Sequence, residues 1–130
     1  MLNIIDYIKS LKSARFTKAV SQGLIVKSEC SLGVTFANDY TLLLRNFGGM
    51  MYNHNIILGL NVEHNNDCVS FTLEAREEDD TVPTDMYVIC DAGIDGILFL
   101  QAQNGNVFQH APFGECTKIA DSLEDFIKSF

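Results

Sequence analysis

Positive charge is what this chain carries least of: 9 Lys and Arg stand against 17 Asp and Glu in 130 residues, a formal net charge of −8. Nucleic acid and anionic lipid attract basic patches, so neither is an expected partner. A basic protein is the partner class such a surface favours, with solubility alone as the competing explanation. The N-terminal segment MLNIIDYIKSLKS is too short and too charged to span a bilayer, and it lacks a basic leader and a small-residue cleavage site. It reads as the first helix of a cytoplasmic protein with no membrane association.

Paired metal or redox motifs are also missing. Cys30, Cys68, Cys90 and Cys116 are widely spaced with no Cys-x-x-Cys, and a domain of this size buries about two thirds of its unfolded surface without staples. Free thiols in a reducing compartment are expected, two disulfides being the alternative. His54, His64 and His110 fall at no metal-ligand spacing such as His-x-x-x-His; the first two read as solvated loop residues and His110 as an exposed strand edge. No Gly-x-Ser-x-Gly elbow occurs, Cys116 has only sequence proximity to His110, and Gly48-Gly49 lacks the Lys-Ser/Thr of a phosphate loop. No catalytic residue, metal or cofactor is therefore expected. Asp91 and Asp95 flank one strand connection and suggest a paired-carboxylate metal site. Against that, Asp and Gly are what tight turns demand, their carboxylates bonding nearby N–H groups.

What is present is a set of well-punctuated elements in one folded unit, residues 1–130, with 47% hydrophobic and 20% charged residues. Tyr40, Leu43, Leu44 and Phe47 recur at i, i+3, i+4 and i+7, predicting a helix over 38–47 with Asn38 as its cap, Asp39 in its first turn, Arg45 near its end and Gly48-Gly49 as its stop. Ile4, Ile8 and Leu11 predict a helix over 3–12, followed by a linker at 13–20. Residues 21–32 suit a helix ending at Gly33, although Gly23 to Val26 suits a strand. Asn55 to Leu60 reads as a strand, 61–66 as a polar turn, and 67–77 as a helix capped by Asp67 with Val69, Thr72, Leu73 and Arg76 on a shared face. After Pro83, strands at 86–91, 97–102 and 107–110 are joined by Gly93-Ile94-Asp95-Gly96 and by Asn104-Gly105, a strong hairpin signal, and should form an antiparallel meander. Ser122 with Asp125 announces a last helix whose stripe is Leu123, Phe126, Ile127 and Phe130.

The stretch LGVTFANDYTLLLRNFGG resembles the motif that opens the SUKH superfamily, in which a Leu-Pro-(Asp/Glu)-Asp-Tyr helix runs into Asn-Gly-Gly. YVICDAGIDGILFLQAQNGNVFQH is similar to that superfamily's paired strands around a Gly-Asp loop, and IADSLEDFIKSF to its closing Ser-Phe-x-x-Phe helix. Ala37 stands where Pro is usual and Phe47 where Tyr or Asn is common; Ala is acceptable at a first helical position. Glu29, Leu32 and Gly33 resemble the Glu-x-x-Leu-Gly before the main helix, which tips 21–32 to helix. Tyr40, Gly48, Gly49, Asp95, Gly96 and Phe126 are the motif positions with structural roles.

The resemblance implies an α+β fold, a central antiparallel sheet packed by N-terminal helices and a C-terminal helix. It implies a non-enzymatic immunity protein that binds and neutralises a bacterial toxin, with a nuclease as one such toxin. A regulatory protein-binding adaptor of the same superfamily is the alternative, and a small metal-dependent hydrolase using Asp91 and Asp95 ranks behind it. Candidate partner-binding residues are the acids Glu74, Glu77, Glu78, Asp79 and Asp80, with Tyr52 as an apolar anchor and Asp95 beside the strand connection.

Overall fold

The structure, a computed structural model, describes residues 3–60 and 66–130. The polar turn expected at 61–66, with His64, lies outside the described residues except for Asn66. Five helices, α1 (Ile4–Lys9), α2 (Gln22–Leu32), α3 (Asn38–Asn46), α4 (Cys68–Glu78) and α5 (Leu123–Lys128), accompany two antiparallel sheets. The smaller sheet has the order β1 (Arg15–Phe16), β2 (Met50–Tyr52), β3 (Asn55–Ile57). The larger runs β4 (Met86–Asp91), β5 (Leu98–Ala102), β6 (Val107–His110), β7 (Cys116–Ala120). This is the expected α+β class, with the meander one strand longer than the sequence suggested.

Local chemistry accounts for most boundaries. Asn3 and Asp6 form a reciprocal capping box on α1. That helix stops at Lys9 rather than 12, because the N–H groups of Ser10 and Leu11 turn to carbonyls three residues back and tighten the last turn. Ser21 caps α2, and Gly33, at φ 68°, ends it in the left-handed conformation that a side chain would strain. Residues 13–20 are not a plain linker: Arg15 and Phe16 pair with Met51 and Met50, and Thr17 clasps Gly49 through both N–H and hydroxyl. The β2–β3 turn holds Asn53 and His54 at positive φ, the twist a two-residue hairpin needs.

A bulge between Val88 and Cys90 leaves Ile89 without a partner on β5, and the Ile89 carbonyl accepts instead from the Leu58 N–H at 2.8 Å. That bond seats the small sheet against the large one. Helix α4 docks on the same bulge, since the Val88 N–H donates to the Thr72 hydroxyl at 3.0 Å. Its buried face is Cys68, Thr72 and Ala75, one step round from the expected face; Leu73 points to solvent. Strand β7 covers β6, so His110, facing Cys116, is interior and only 1% exposed rather than an exposed edge.

The stripe of α3 lands where its periodicity requires. Tyr40, Leu43 and Leu44 are fully buried, each contributing about 1.5–3 kcal/mol relative to exposure. Phe47 caps the helix and stacks on Phe16. Phe36, Tyr40 and Tyr87 form an aromatic triangle with centroids 4.8–5.3 Å apart, and Phe126 bridges Phe99 and Phe130. Helix α1 packs on α3 and α5, α2 on α3 and α4, and α5 on β7. Among the described residues no helix is long and apolar enough to cross a membrane.

Candidate functional site

Residues next to the motif positions, in the same three segments, build a polar relay inside the core. Ala37, not Asn38, is the N-cap of α3, and it has no side chain to offer the helix. The buried Tyr87 hydroxyl accepts the Ala37 N–H at 2.8 Å and donates to Gln101 Oε1 at 2.7 Å. Gln101 Nε2 then donates to Asp39 Oδ1 and to the Gly105 carbonyl, and the second Asp39 oxygen accepts the Leu123 N–H at the start of α5. Asp39 thus ties its helix to β5 and to the C-terminal helix. Burial raises the pKa of Tyr87 and Tyr40 well above the ordinary phenol range, keeping both hydroxyls protonated. Glu29 accepts the Phe36 N–H at 2.8 Å and sets the entry to α3. Gly48 takes φ 78° at the helix stop, while Gly49 and Gly59 pass backbone to backbone.

The surface feature with chemical character is a cleft of about 420 Å³ between the C-terminal half of α4 and the open end of the large sheet. Phe71, Ala75, Val82, Leu98 and Pro112 supply its apolar lining, and Glu74, Glu78, Asp79 and Asp91 its carboxylates. Among the described residues no Lys or Arg lines it. Arg76, on the same helix, turns away to cap α2, donating to the Leu32 carbonyl at 2.9 Å and to carbonyls of Thr84 and Met86. Gly96, at φ 68°, lets the lip close: a Cβ there would lie 2.8 Å from Pro112 Cγ. Beside it Phe113, at φ 53°, is 71% exposed, and Ile94 in the neighbouring turn is 63% exposed.

Asp79 organises the lip. Its carboxylate accepts from the Phe113 N–H at 2.7 Å, from the Thr81 N–H at 2.9 Å and from the Thr81 hydroxyl at 2.6 Å. Desolvation pushes its pKa up, but these hydrogen bonds and the nearby His110 outweigh that and hold it below the ordinary aspartate value. Thr81 Oγ1 also lies 3.0 Å from His110 Nε2, while His110 Nδ1 is buried with no hydrogen-bond partner among the described residues.

Of the sequence-predicted partner residues, Glu74, Glu78 and Asp79 line the cleft. Glu77 and Asp80 are exposed outside its lining, and Asp95 sits at φ 56° in the exposed turn before Gly96. Tyr52 is half-buried on β2 and does not line the cleft. Asp91, His110, Phe71 and Phe113 were not legible as a site, because only the sheet ends and α4 bring them together. The Asp91 carboxylate accepts the Gly93 N–H at 2.9 Å, the turn role rather than a paired-carboxylate one. All four cysteines are free thiols, and desolvation pushes Cys68 and Cys90 up to about 12 and raises Cys116 as well. Those three are poor nucleophiles. Among the described residues no three His, Cys, Asp or Glu side chains gather in a metal-holding group.

A small α+β protein in which motif residues brace the core, leaving an acid-lined cleft on the surface, is the class these features define. The model of the SMI1-KNR4 cell-wall family, a SUKH family, matches residues 1–130, and the chain belongs to that family. A solved structure of a protein from Pseudomonas syringae pv. tomato superposes with a TM-score of 0.75 over 96% of this chain and 92% of that one, at 12% identity. Likeness at that identity is one of fold. No curated protein matches the chain in sequence.

Proposed function

We propose that this protein is a non-enzymatic, cytoplasmic binding protein of the immunity type, whose partner is a basic protein, a bacterial toxin domain. The observation that carries the reading is the cleft, which offers carboxylates on an apolar lining with no Lys or Arg among its described residues. Membership of the family supports it, as do the net charge of −8 and the four free thiols, which suit a reducing compartment. Glu74, Glu78 and Asp79 supply attraction and Phe113 an exposed aromatic anchor. Glu77 and Asp80 add to the long-range field that steers a basic partner. The family's cell-wall description favours a regulatory adaptor as the second reading.

Co-expression with the product of the neighbouring toxin-domain gene, followed by co-purification and rescue of growth, tests the proposal. Glu78→Lys is expected to slow association by about tenfold, with the difference shrinking as salt is raised. Absence of any complex with an adjacent toxin-domain product overturns the immunity reading, and a complex formed with a cell-wall synthesis component instead would favour the adaptor.

A further inference from the structure

The chain's one Asn-Gly pair, Asn104-Gly105, lies in the β5–β6 hairpin and touches the core relay. An asparagine followed by glycine can react with its own backbone, because glycine has no side chain to obstruct the path from its nitrogen to the preceding carboxamide carbon. Asn104 is exposed and Gly105 is buried, with φ 99°. The fold engages the groups that this reaction needs. The Gly105 N–H, whose nitrogen would be the nucleophile, donates to the Ala102 carbonyl at 2.9 Å. Asn104 Oδ1 accepts the Asn106 N–H at 3.0 Å, which holds the carboxamide toward Asn106. The Gly105 carbonyl accepts from Gln101 Nε2 at 3.1 Å, and the Ala102 N–H donates to the Asn106 carbonyl at 3.0 Å. The Asn106 N–H would also steady the negative charge that builds on Oδ1 during attack. That help is idle while the attacking nitrogen stays committed to Ala102.

We propose that Asn104-Gly105 is a self-modification site that the native hairpin holds shut and unfolding opens. In the open chain the Gly105 nitrogen attacks Asn104 Cγ: the N–Cγ bond forms, the Cγ–Nδ2 bond breaks, and Nδ2 leaves as ammonia with the proton that the Gly105 nitrogen sheds. Water then opens the succinimide at either carbonyl, giving aspartate or the β-linked isoaspartate. Both products injure the relay. Residue 104 lines a hollow of about 480 Å³ with Asp39 and Asp121, so a carboxylate there adds like charge beside the residue that ties α3 to α5. The isoaspartate also adds one carbon to the backbone just before the Gly105 carbonyl that Gln101 holds. Time spent unfolded is thereby recorded as a lesion that opposes return to the native fold.

The test keeps the full chain in two parallel incubations at the same mildly alkaline pH, one in native buffer and one in guanidinium chloride above the unfolding midpoint. Mass spectrometry of proteolytic peptides counts the gain of one mass unit at Asn104, and chromatography separates the isoaspartyl form. Conversion at Asn104 is expected to run at least about tenfold faster in the unfolded chain, since the native hairpin must first open. Chain refolded after long incubation in denaturant should melt about 3 °C or more below chain refolded at once, and Asn104→Gln, aged alike, should show no such loss. Equal or faster conversion in the native chain overturns the shielding. Conversion confined to other asparagines overturns the site, and an equal loss in Asn104→Gln overturns the link to the relay. Should Asn104→Gln fail to fold, Asn104→Asp, which installs the aspartate product directly, decides that link: a lowered Tm supports it and an unchanged one overturns it.

Discussion

Tyr87→Phe removes one oxygen from the middle of the core relay and is the sharpest perturbation of the fold. The hydroxyl accepts from Ala37 N–H at 2.8 Å and donates to Gln101 Oε1 at 2.7 Å, both in buried surroundings. Phenylalanine keeps the ring contacts with Phe36 and Tyr40, so the loss is polar, not steric. Each orphaned buried group costs about 1–3 kcal/mol, and Gln101 keeps its bonds to Asp39 and Gly105, which puts the total near 3 kcal/mol. For a chain of this length that corresponds to a fall in Tm of about 11 °C. Urea unfolding followed by circular dichroism, with m unchanged, reads the difference directly. Tyr52→Phe, at a half-buried residue outside the relay, is the control and should cost less than about 0.5 kcal/mol. A Tyr87→Phe penalty below about 1 kcal/mol would refute the claim that this hydroxyl holds the start of α3 through the Ala37 N–H.

Gly59→Ala should destabilise by about 2 kcal/mol or more, because its Cβ would meet Gly49 N at 2.6 Å and Gly49 Cα at 3.0 Å, backbone that cannot step aside; thermal melts that match the native chain would contradict this. Asp79 is held below its ordinary value of 3.8 when folded, so its stabilising hydrogen bonds are complete above that pH and are lost as pH falls through the lowered folded value. The stability gap between the native chain and Asp79→Asn should accordingly be flat from neutral pH to about pH 5 and close in stronger acid, as urea midpoints across pH would register. Toward a thiol reagent in native buffer Cys30, exposed, should react first, and Cys68 and Cys90 only with unfolding; counting labelled thiols by mass against time checks the order.

Helices were the legible part because their signals are local: Ser21, Asp67 and Ser122 each cap the helix that follows them. The missing cap of α3 was misread because Asn38 is the right residue type one position late, and the group that serves Ala37 comes from Tyr87, 50 residues away. Strands β1, β2 and β7 went unread for a different reason. Arg15–Phe16 is too short for any period, Met50–Tyr52 follows a glycine pair, and Cys116–Ala120 has a mostly exposed burial pattern without alternation. Missing β7 is what made His110 look like an edge. The acids of 74–80 announced a charged surface, yet which of them share a cleft depends on the turn of α4 and on the Pro112–Phe113 lip, neither of which periodicity encodes.

Asp39 also has a consequence in time. Its two oxygens wait for Gln101, 62 residues on, and for Leu123, 84 residues on. At synthesis rates of about 5–20 residues per second, the last of these partners is made roughly 4–17 s after Asp39 itself. Through that interval the helix bearing the Tyr40, Leu43 and Leu44 stripe exists without its anchor. The chain is then an incomplete core, and the two bonds that tie Asp39 to β5 and to α5 can both be in place only after the C-terminal helix has been made.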